Sequence, residues 1–368
     1  MTPGFSHQVV TDRGDLDPAR QPHLKEGWDR LAAATHNPLL RFDWFWSCAT
    51  TIHADDALRI VVVYDGEEVA AVAPLVISSA HARPRLEIIG TSRLYEPSGL
   101  LYASEAALAY LLRTTMRLRL PLLLLRVPWH DQTHQIVDRL SPLQGLKIVR
   151  ETAAAAFLDL GSSWEELVAG LSSNRRYDFK RKRKRASADG AVSVDDVRPS
   201  GGEFAQYFAK AVAIEHASWK GGNGSSLQAD PGLRRFFEHY LGAACERGEC
   251  RFFFLNVGDE SIAMQIAIET DGACWVLKQG YREDYARLSP GVQLAHESLR
   301  CCIDSGLQRF EFLGSEEGWQ SSWPIERHAF GMVLVIPYSV AGMRELFGAV
   351  VSAVRGKLSS GPESSSGV

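Results

Sequence analysis

Between Lys278 and Leu294 the chain carries residue types that, in that order, could hold an anion and act on what it delivers. Ser289-Pro290-Gly291 offers a capping hydroxyl, a proline suited to a first helical turn, and a glycine that lets a ligand approach the main chain. Val292, Ala295, Leu299, Cys302 and Ile303 then recur at helical spacing. The first turn of that helix presents unpaired N–H groups and a positive dipole end, which suit a phosphate or pyrophosphate. Arg287, just upstream, could add a charge-assisted contact.

Two acidic clusters are candidates for proton transfer. In Glu215-His216-Ala217-Ser218-Trp219-Lys220 a carboxylate, an imidazole and an indole lie close enough to line a pocket, with Glu215 or His216 as a general base. The same residues also fit an ordinary helix end with an exposed glutamate. Glu316-Glu317-Gly318-Trp319-Gln320 follows the apolar run Phe310–Gly314, which would deliver it to the cleft that holds Lys278, or leave it as a surface loop. His130 and His134 have i, i+4 spacing but no third ligand, and no metal site is assigned.

Residues 174–185 place eight cationic side chains in twelve positions, offset by Asp178 alone. A helix charged around its circumference must face water or a polyanion, either the phosphates of a donor or the backbone of an RNA. The net charge of −4 argues against wholesale coating of nucleic acid. Six cysteines without paired spacing read as reduced core residues. The most apolar run, Leu118–Pro128, contains Arg119, Pro121 and Arg126 and is shorter than a membrane span, and Met1–Asp17 lacks a signal-like apolar stretch. The expectation is a cytoplasmic protein without a membrane span.

The elements that must position these groups come in two similar series. In the first, helices over Pro22–Thr35 and through Trp44, Phe45 and Trp46 precede a hairpin at Asp65-Gly66. Further elements follow: a strand at Leu86–Ile89, a helix over Ala103–Leu118, a strand at Pro121–Val127, a helix over Asp131–Leu140, and strands at Leu146–Arg150 and Ala153–Leu160. After Gly161 the order repeats, through helices over Trp164–Leu171, Asn174–Ala186, Glu203–His216 and Ala229–Glu246. A hairpin at Gly258-Asp259, strands at Ala273–Tyr281 and Phe310–Gly314, and a last strand at Phe330–Ile336 complete the series. Val340–Lys357 reads as an amphipathic helix and Ser359–Val368 as a disordered tail.

Taken together, Leu171-Ser-Ser-Asn174 leading into the basic helix, Glu215 with Ser218–Gly221, the Gly258-Asp259 hairpin, Tyr281 and Tyr285 ahead of Ser289-Pro290-Gly291, and Phe310–Gly314 with Glu316 resemble the CelD/BcsL-type acetyltransferases. These are a branch of the GNAT superfamily related to FemAB-like transferases. The resemblance is good over 160–335 and weak over 20–160. It implies an α/β fold (α+β, mixed sheet) of two tandem GNAT-like domains. The boundaries are a flexible N-terminus at 1–19, domains at 20–160 and 161–338, a helix at 339–358 and a tail at 359–368.

The resemblance further implies transfer of an acyl group from acetyl-CoA or another acyl-CoA, without a metal, to an amine or hydroxyl of a small molecule or glycan precursor. Pantetheine would lie between splayed strands Ala273–Tyr281 and Gln308–Leu313, with the pyrophosphate at the Ser289 helix. In this reading Glu215 or Glu316 is the base, a main-chain N–H near Lys278 the oxyanion donor, and Tyr285 the acid for the leaving thiolate. Arg287, Ser289, Gly291, Val292 and Arg181 contact the donor, while Trp219, Lys220, Tyr281 and Trp319 line the acceptor side. The usual phosphate-binding signature is reduced here to Arg287–Gly291, and Gln320 stands where relatives tend to carry a lysine. Two other readings remain: aminoacyl transfer from a tRNA held by 174–185, and an inert anion-binding module linked to polysaccharide assembly. Oligomeric state is not assigned.

Overall fold

The computed structural model describes residues 4–79, 83–161 and 163–348. Its larger sheet has seven strands in the spatial order Val192–Val197, Cys250–Val257, Glu260–Thr270, Ala273–Tyr281, Arg309–Leu313, Ala155–Asp159 and Glu326–His328. A six-stranded sheet runs Ala57–Leu58, Leu75–Ile77, Leu86–Ile88, Leu122–Pro128, Phe330–Pro337 and Gly145–Glu151. A four-stranded sheet, Phe5–Val10, Ile60–Asp65, Glu68–Ala73 and Leu101–Tyr102, completes the N-terminal half.

The central strands are nearly continuous apolar runs because both of their faces are covered. Along Cys250–Val257, Phe252 and Phe254 pack with Phe208, Val212 and Phe236 of helices Phe204–His216 and Pro231–Glu246. The alternate residues, Phe253 and Leu255, pack with Leu294 and Leu299 of helix Pro290–Asp304. Alternation of side chains along a strand therefore assigns those two helix groups to opposite faces of the sheet. The first core is continuous with the N-terminal half, where Trp44 meets Phe236 and Tyr240 edge-on at 5.0 and 4.9 Å.

Each half contains one parallel strand pair, Leu86–Ile88 with Leu122–Pro128 and Ala273–Tyr281 with Arg309–Leu313, the repeat expected from element order. The halves also exchange strands. Ala155–Asp159 lies in the seven-stranded sheet between Arg309–Leu313 and Glu326–His328, while Phe330–Pro337 lies in the six-stranded sheet between Leu122–Pro128 and Gly145–Glu151. Both sheets thus draw strands from either side of the boundary expected near 160.

Within 1–19, where flexibility was expected, Phe5–Val10 pairs antiparallel with Ile60–Asp65. The terminal helix is described only to residue 348. There Val340, Met343 and Phe347 of the expected apolar stripe are exposed. The tail at 359–368 lies outside the described residues. Among the described residues no helix is long and apolar enough to cross a membrane.

Candidate functional site

Strands Ala273–Tyr281 and Arg309–Leu313 pair only from Ala273 with Arg309 to Trp275 with Glu311. Beyond that point they diverge. On its other edge the first strand pairs Val276 with Ala267 and Lys278 with Ile266, so Leu277 has no residue opposite it and forms a bulge at the mouth of the divergence. The gap is a cavity of about 240 Å3, lined by Val276–Gln279 on one strand and Phe312–Ser315 after the other, with Trp44 and Glu96 from the N-terminal half and Lys220 and Phe237 from the helices above.

The Arg309 strand ends in two consecutive left-handed residues, Leu313 (φ 55°) and Gly314 (φ 54°). Leucine rarely adopts this conformation, and here the N-terminal half fixes it from both sides. Arg126, buried and itself at φ 61°, donates to Gly314 O at 2.6 Å and to Ala153 O, its guanidinium lying over the rings of Tyr95 and Phe330 at 4.9 and 4.5 Å. Glu96 Oε2 accepts from Gly314 N at 3.0 Å. Burial pushes the Glu96 carboxyl up to about 7, against the opposing pull of Gly314 N–H, Arg126 and Lys278.

Glu215 is not an exposed helix-end carboxylate: it is fully buried. Gly280 makes room for it, since a Cβ there would stand 3.2 Å from Glu215 Cα. Its Oε2 accepts from Leu227 N at 2.8 Å, and its Oε1 lies 3.2 Å from Lys278 Nζ and 3.5 Å from Lys220 Nζ. Lys220 Nζ also donates to Gln279 O at 2.9 Å. Burial, and then the neighbouring Lys278, lower the Lys220 pKa, while Glu215 opposes the shift. With both oxygens engaged, Glu215 holds two lysines on the cavity wall. Glu316 lies elsewhere: Arg327 grips both its oxygens at 2.5 and 2.8 Å and holds its pKa below the usual carboxylate range.

Helix Pro290–Asp304 begins where the sequence places it, with Pro290 in its first turn. Ser289 sits in the left-handed region (φ 52°, ψ 54°) rather than the extended one usual for a capping residue, and it makes no side-chain cap, so the capping expectation fails. Gly291 and Val292 keep first-turn N–H groups, and a Cβ at Gly291 would only touch Tyr281 Cδ1 at 3.7 Å. Arg287 is largely exposed and paired with Asp189, away from this turn. Arg185 Nη1 reaches Arg287 O at 3.2 Å, which docks the end of basic helix Ser173–Ser187 beside the turn. Arg183, bound to Glu297 and Val192 O at 2.9 Å each, fastens the helix to the sheet. Arg181 bonds Asp178 on the outer side.

Tyr281 and Tyr285 pack on the core face that carries the Pro290 helix, with Arg282 over the Tyr285 ring at 5.4 Å. Trp319 donates to Glu317 at 2.6 Å and meets Phe312 edge-on. Trp219 is 55% exposed, outside the cavity lining. His134 bonds Pro128 O at 3.2 Å, and His130 is exposed. Of the residues singled out from sequence, Lys278 and Lys220 therefore converge on the cavity, with Glu215 behind them. Glu96 and Arg126 were missed as site residues. Their only local signal was a carboxylate in the Glu96-Pro97-Ser98-Gly99 loop and an arginine inside an apolar strand.

Residues 173–321 match the family described as acetyltransferase (GNAT) domain. The fold is a mixed-sheet, tandem GNAT-like arrangement. It resembles the solved structure of FemX (TM-score 0.55, 11% identity, 94% of this chain and 99% of that one). It also resembles a tandem GNAT protein from the clavulanic acid biosynthesis pathway (TM-score 0.52, 12% identity, 91% and 99%). A third similar structure is the C-terminal domain of a putative lysylphosphatidylglycerol synthetase from Agrobacterium fabrum (TM-score 0.51, 7% identity, 83% and 91%). No curated protein is a significant match.

Proposed function

We propose that the chain is an acyltransferase that moves an acyl group to an amine or hydroxyl in the cavity between the diverging strands, with Glu96 as general base. The observation that carries this reading is the convergence, in one cavity, of a strand bulge, two lysines and a carboxylate with a pKa of about 7. A group with such a pKa is well matched to taking a proton near neutrality. In the step proposed, the acceptor nitrogen or oxygen bonds to the acyl carbon and Glu96 takes its proton. The bond from the acyl carbon to the leaving sulfur or oxygen breaks, and Tyr285 is assigned to protonate the leaving atom. The bulge N–H groups at Leu277 and Lys278 are suited to receive the charge that develops on the acyl oxygen.

Acetyl-CoA, or another acyl-CoA, is the donor of first choice. It would supply an activated acyl group, with its phosphates on the Gly291 and Val292 N–H groups and its arm between the diverging strands. Glycan precursors of the CelD/BcsL type are the leading acceptors, and the cytoplasm the expected place of action. A second reading, aminoacyl transfer from a tRNA, draws on the outer face of the basic helix, where Tyr177 is 69% exposed among Lys180, Arg181 and Lys184 at i, i+3, i+4 and i+7. Calorimetric titration with acetyl-CoA and with an aminoacyl-tRNA, followed by an acceptor screen with whichever binds, tests both readings; binding of neither overturns them.

A further inference from the structure

A second, larger cleft of about 1080 Å3 lies between the two halves of the chain. It adjoins the smaller cavity along three segments: Trp275, Glu311 and Pro97 line the cleft, while the next or preceding residues, Val276, Phe312 and Glu96, line the cavity. The proposed base thus stands at the junction of the two spaces.

The chemistry of this cleft is unlike that of a charged-ligand site. Its formal charges already have partners: Asp159 with Arg309 at 2.8 Å, Glu311 with His328 at 3.1 Å, Asp271 with Arg41 at 3.6 Å, and Arg327 with Glu316. Asp131 accepts from Tyr102 Oη at 2.9 Å and from Thr133 N at 2.7 Å. An anionic ligand would have to break one of the arginine pairs to gain a counter-charge, and among these carboxylates only Asp131 has neutral partners alone. What remains available is apolar ring surface on Trp129 and Tyr102, together with polar groups held in fixed directions. His328 illustrates the second kind: it is stacked on Phe157 at 4.2 Å and its Nε2 is engaged by both oxygens of Glu311, a carboxylate that is itself buried. Trp275 supplies a further observation. Its side chain lines the cleft, it is more than nine-tenths buried, and its indole N–H meets no acceptor among the described residues. A buried donor left without a partner costs free energy, which a ligand oxygen would recover.

We propose that this cleft binds the acceptor, and that the acceptor is a neutral carbohydrate. Its hydroxyl oxygens accept from Trp275 Nε1 and exchange hydrogen bonds with Asp131 and His328, and the C–H face of one ring rests on Trp129. One hydroxyl or amine of the bound sugar is directed past Glu311 to Glu96. This inference rests on the transfer reading above for its biological sense, but the binding it describes can be measured without any donor.

The test is titration of the 15N-labelled full chain with cellotetraose, mannotetraose and chitotetraose, read at the indole N–H resonances. Trp275→Phe and Trp129→Phe assign the two peaks of interest. The expected result is saturable shift of the Trp275 and Trp129 signals with at least one of these sugars, weakened about tenfold or more by Trp129→Ala and by His328→Ala at unchanged melting temperature, as for loss of one stacking or one hydrogen-bonding partner. Trp275→Phe, which keeps the ring and deletes the donor, should weaken binding severalfold and guards against a misfolded alanine variant. No shift of either signal with all three sugars overturns the proposal, as does tighter binding of dextran sulfate or spermine at the same two indoles. A Gly291→Asp variant that no longer binds acetyl-CoA should keep the sugar-induced shifts. Sugar binding in a chain that binds no acyl donor would sink the transfer reading and leave the cleft assignment intact; donor binding and turnover with no response at the cleft would do the reverse.

Discussion

Glu96 Oε2 and the main-chain N–H of Gly314 meet at 3.0 Å across the joint between the two halves of the chain. The contact ties the proposed base to the turn that ends the Arg309 strand, so its position depends on both halves being folded. Burial has raised its pKa from 4.5 to about 7. Turnover should therefore rise with pH through about 7 as Glu96 loses its proton. Glu96→Gln should abolish that limb and lower kcat by about a hundredfold or more, with donor affinity unchanged. A pH profile unchanged in the variant would exclude the assignment.

The same shift has a consequence for stability. Because the folded-state pKa lies above that of the unfolded chain, the group favours the fold fully below about pH 4.5 and ceases to do so as pH rises through about 7. Glu96→Gln should match the wild type in urea melts near pH 4.5 and exceed it at pH 8, by on the order of 2 kcal/mol. A gain in stability coupled to a loss of activity is the pattern to look for.

Glu215 should behave in the opposite way. Glu215→Ala leaves two lysines and the Leu227 N–H without their buried acceptor and should cost about 3–5 kcal/mol of folding stability in chemical denaturation. Were Glu215→Ala instead to fold normally and lose only turnover, this carboxylate would return as the base.

At the helix start, Gly291→Ala should be tolerated, since the added Cβ meets Tyr281 at an ordinary 3.7 Å, whereas Gly291→Asp should abolish acetyl-CoA binding in calorimetry. Arg287→Ala should weaken donor binding by less than about 1 kcal/mol, because its guanidinium is exposed and directed to Asp189. Equal donor affinity in Gly291→Asp would remove the phosphate site from this turn.

Within the basic helix, position on the cylinder separates two kinds of residue. Arg183→Gln should lower the melting temperature by breaking the Glu297 and Val192 contacts. The triple change Lys180→Gln, Arg181→Gln, Lys184→Gln should leave stability alone and, with a tRNA ligand, reduce the salt slope of binding by up to about three contacts. With acetyl-CoA as donor the triple variant should bind normally.

Much of the secondary structure was readable in the order of residues, because apolar periodicity and turn chemistry are local. The Asp65-Gly66 and Gly258-Asp259 hairpins and the helix starting at Pro290 lie where those signals place them. Burial, by contrast, is set by partners distant in sequence. Glu215 reads as a helix-end carboxylate until Gly280, from strand Ala273–Tyr281, closes over it. Glu96 acquires its raised pKa from burial at the joint between the halves, against the pull of Gly314 N–H, 218 positions away, and of Arg126, and no local signal announces that burial. Arg126 looked like an interruption in an apolar run, and its guanidinium proves to be the clamp on the site's turn. Ser289 was expected to cap by its type alone, but its backbone is left-handed and no cap bond forms.

The exchange of strands between the sheets also bears on synthesis of the chain at the ribosome. Phe330–Pro337 is flanked on both sides by strands from residues 122–151, so the six-stranded sheet stays split until residue 337 has emerged. Closing a loop of that span is entropically slow, and the waiting strand Leu122–Pro128 is mostly apolar. The strands Leu122–Pro128 and Gly145–Glu151 can therefore be joined only after Phe330–Pro337 has been made.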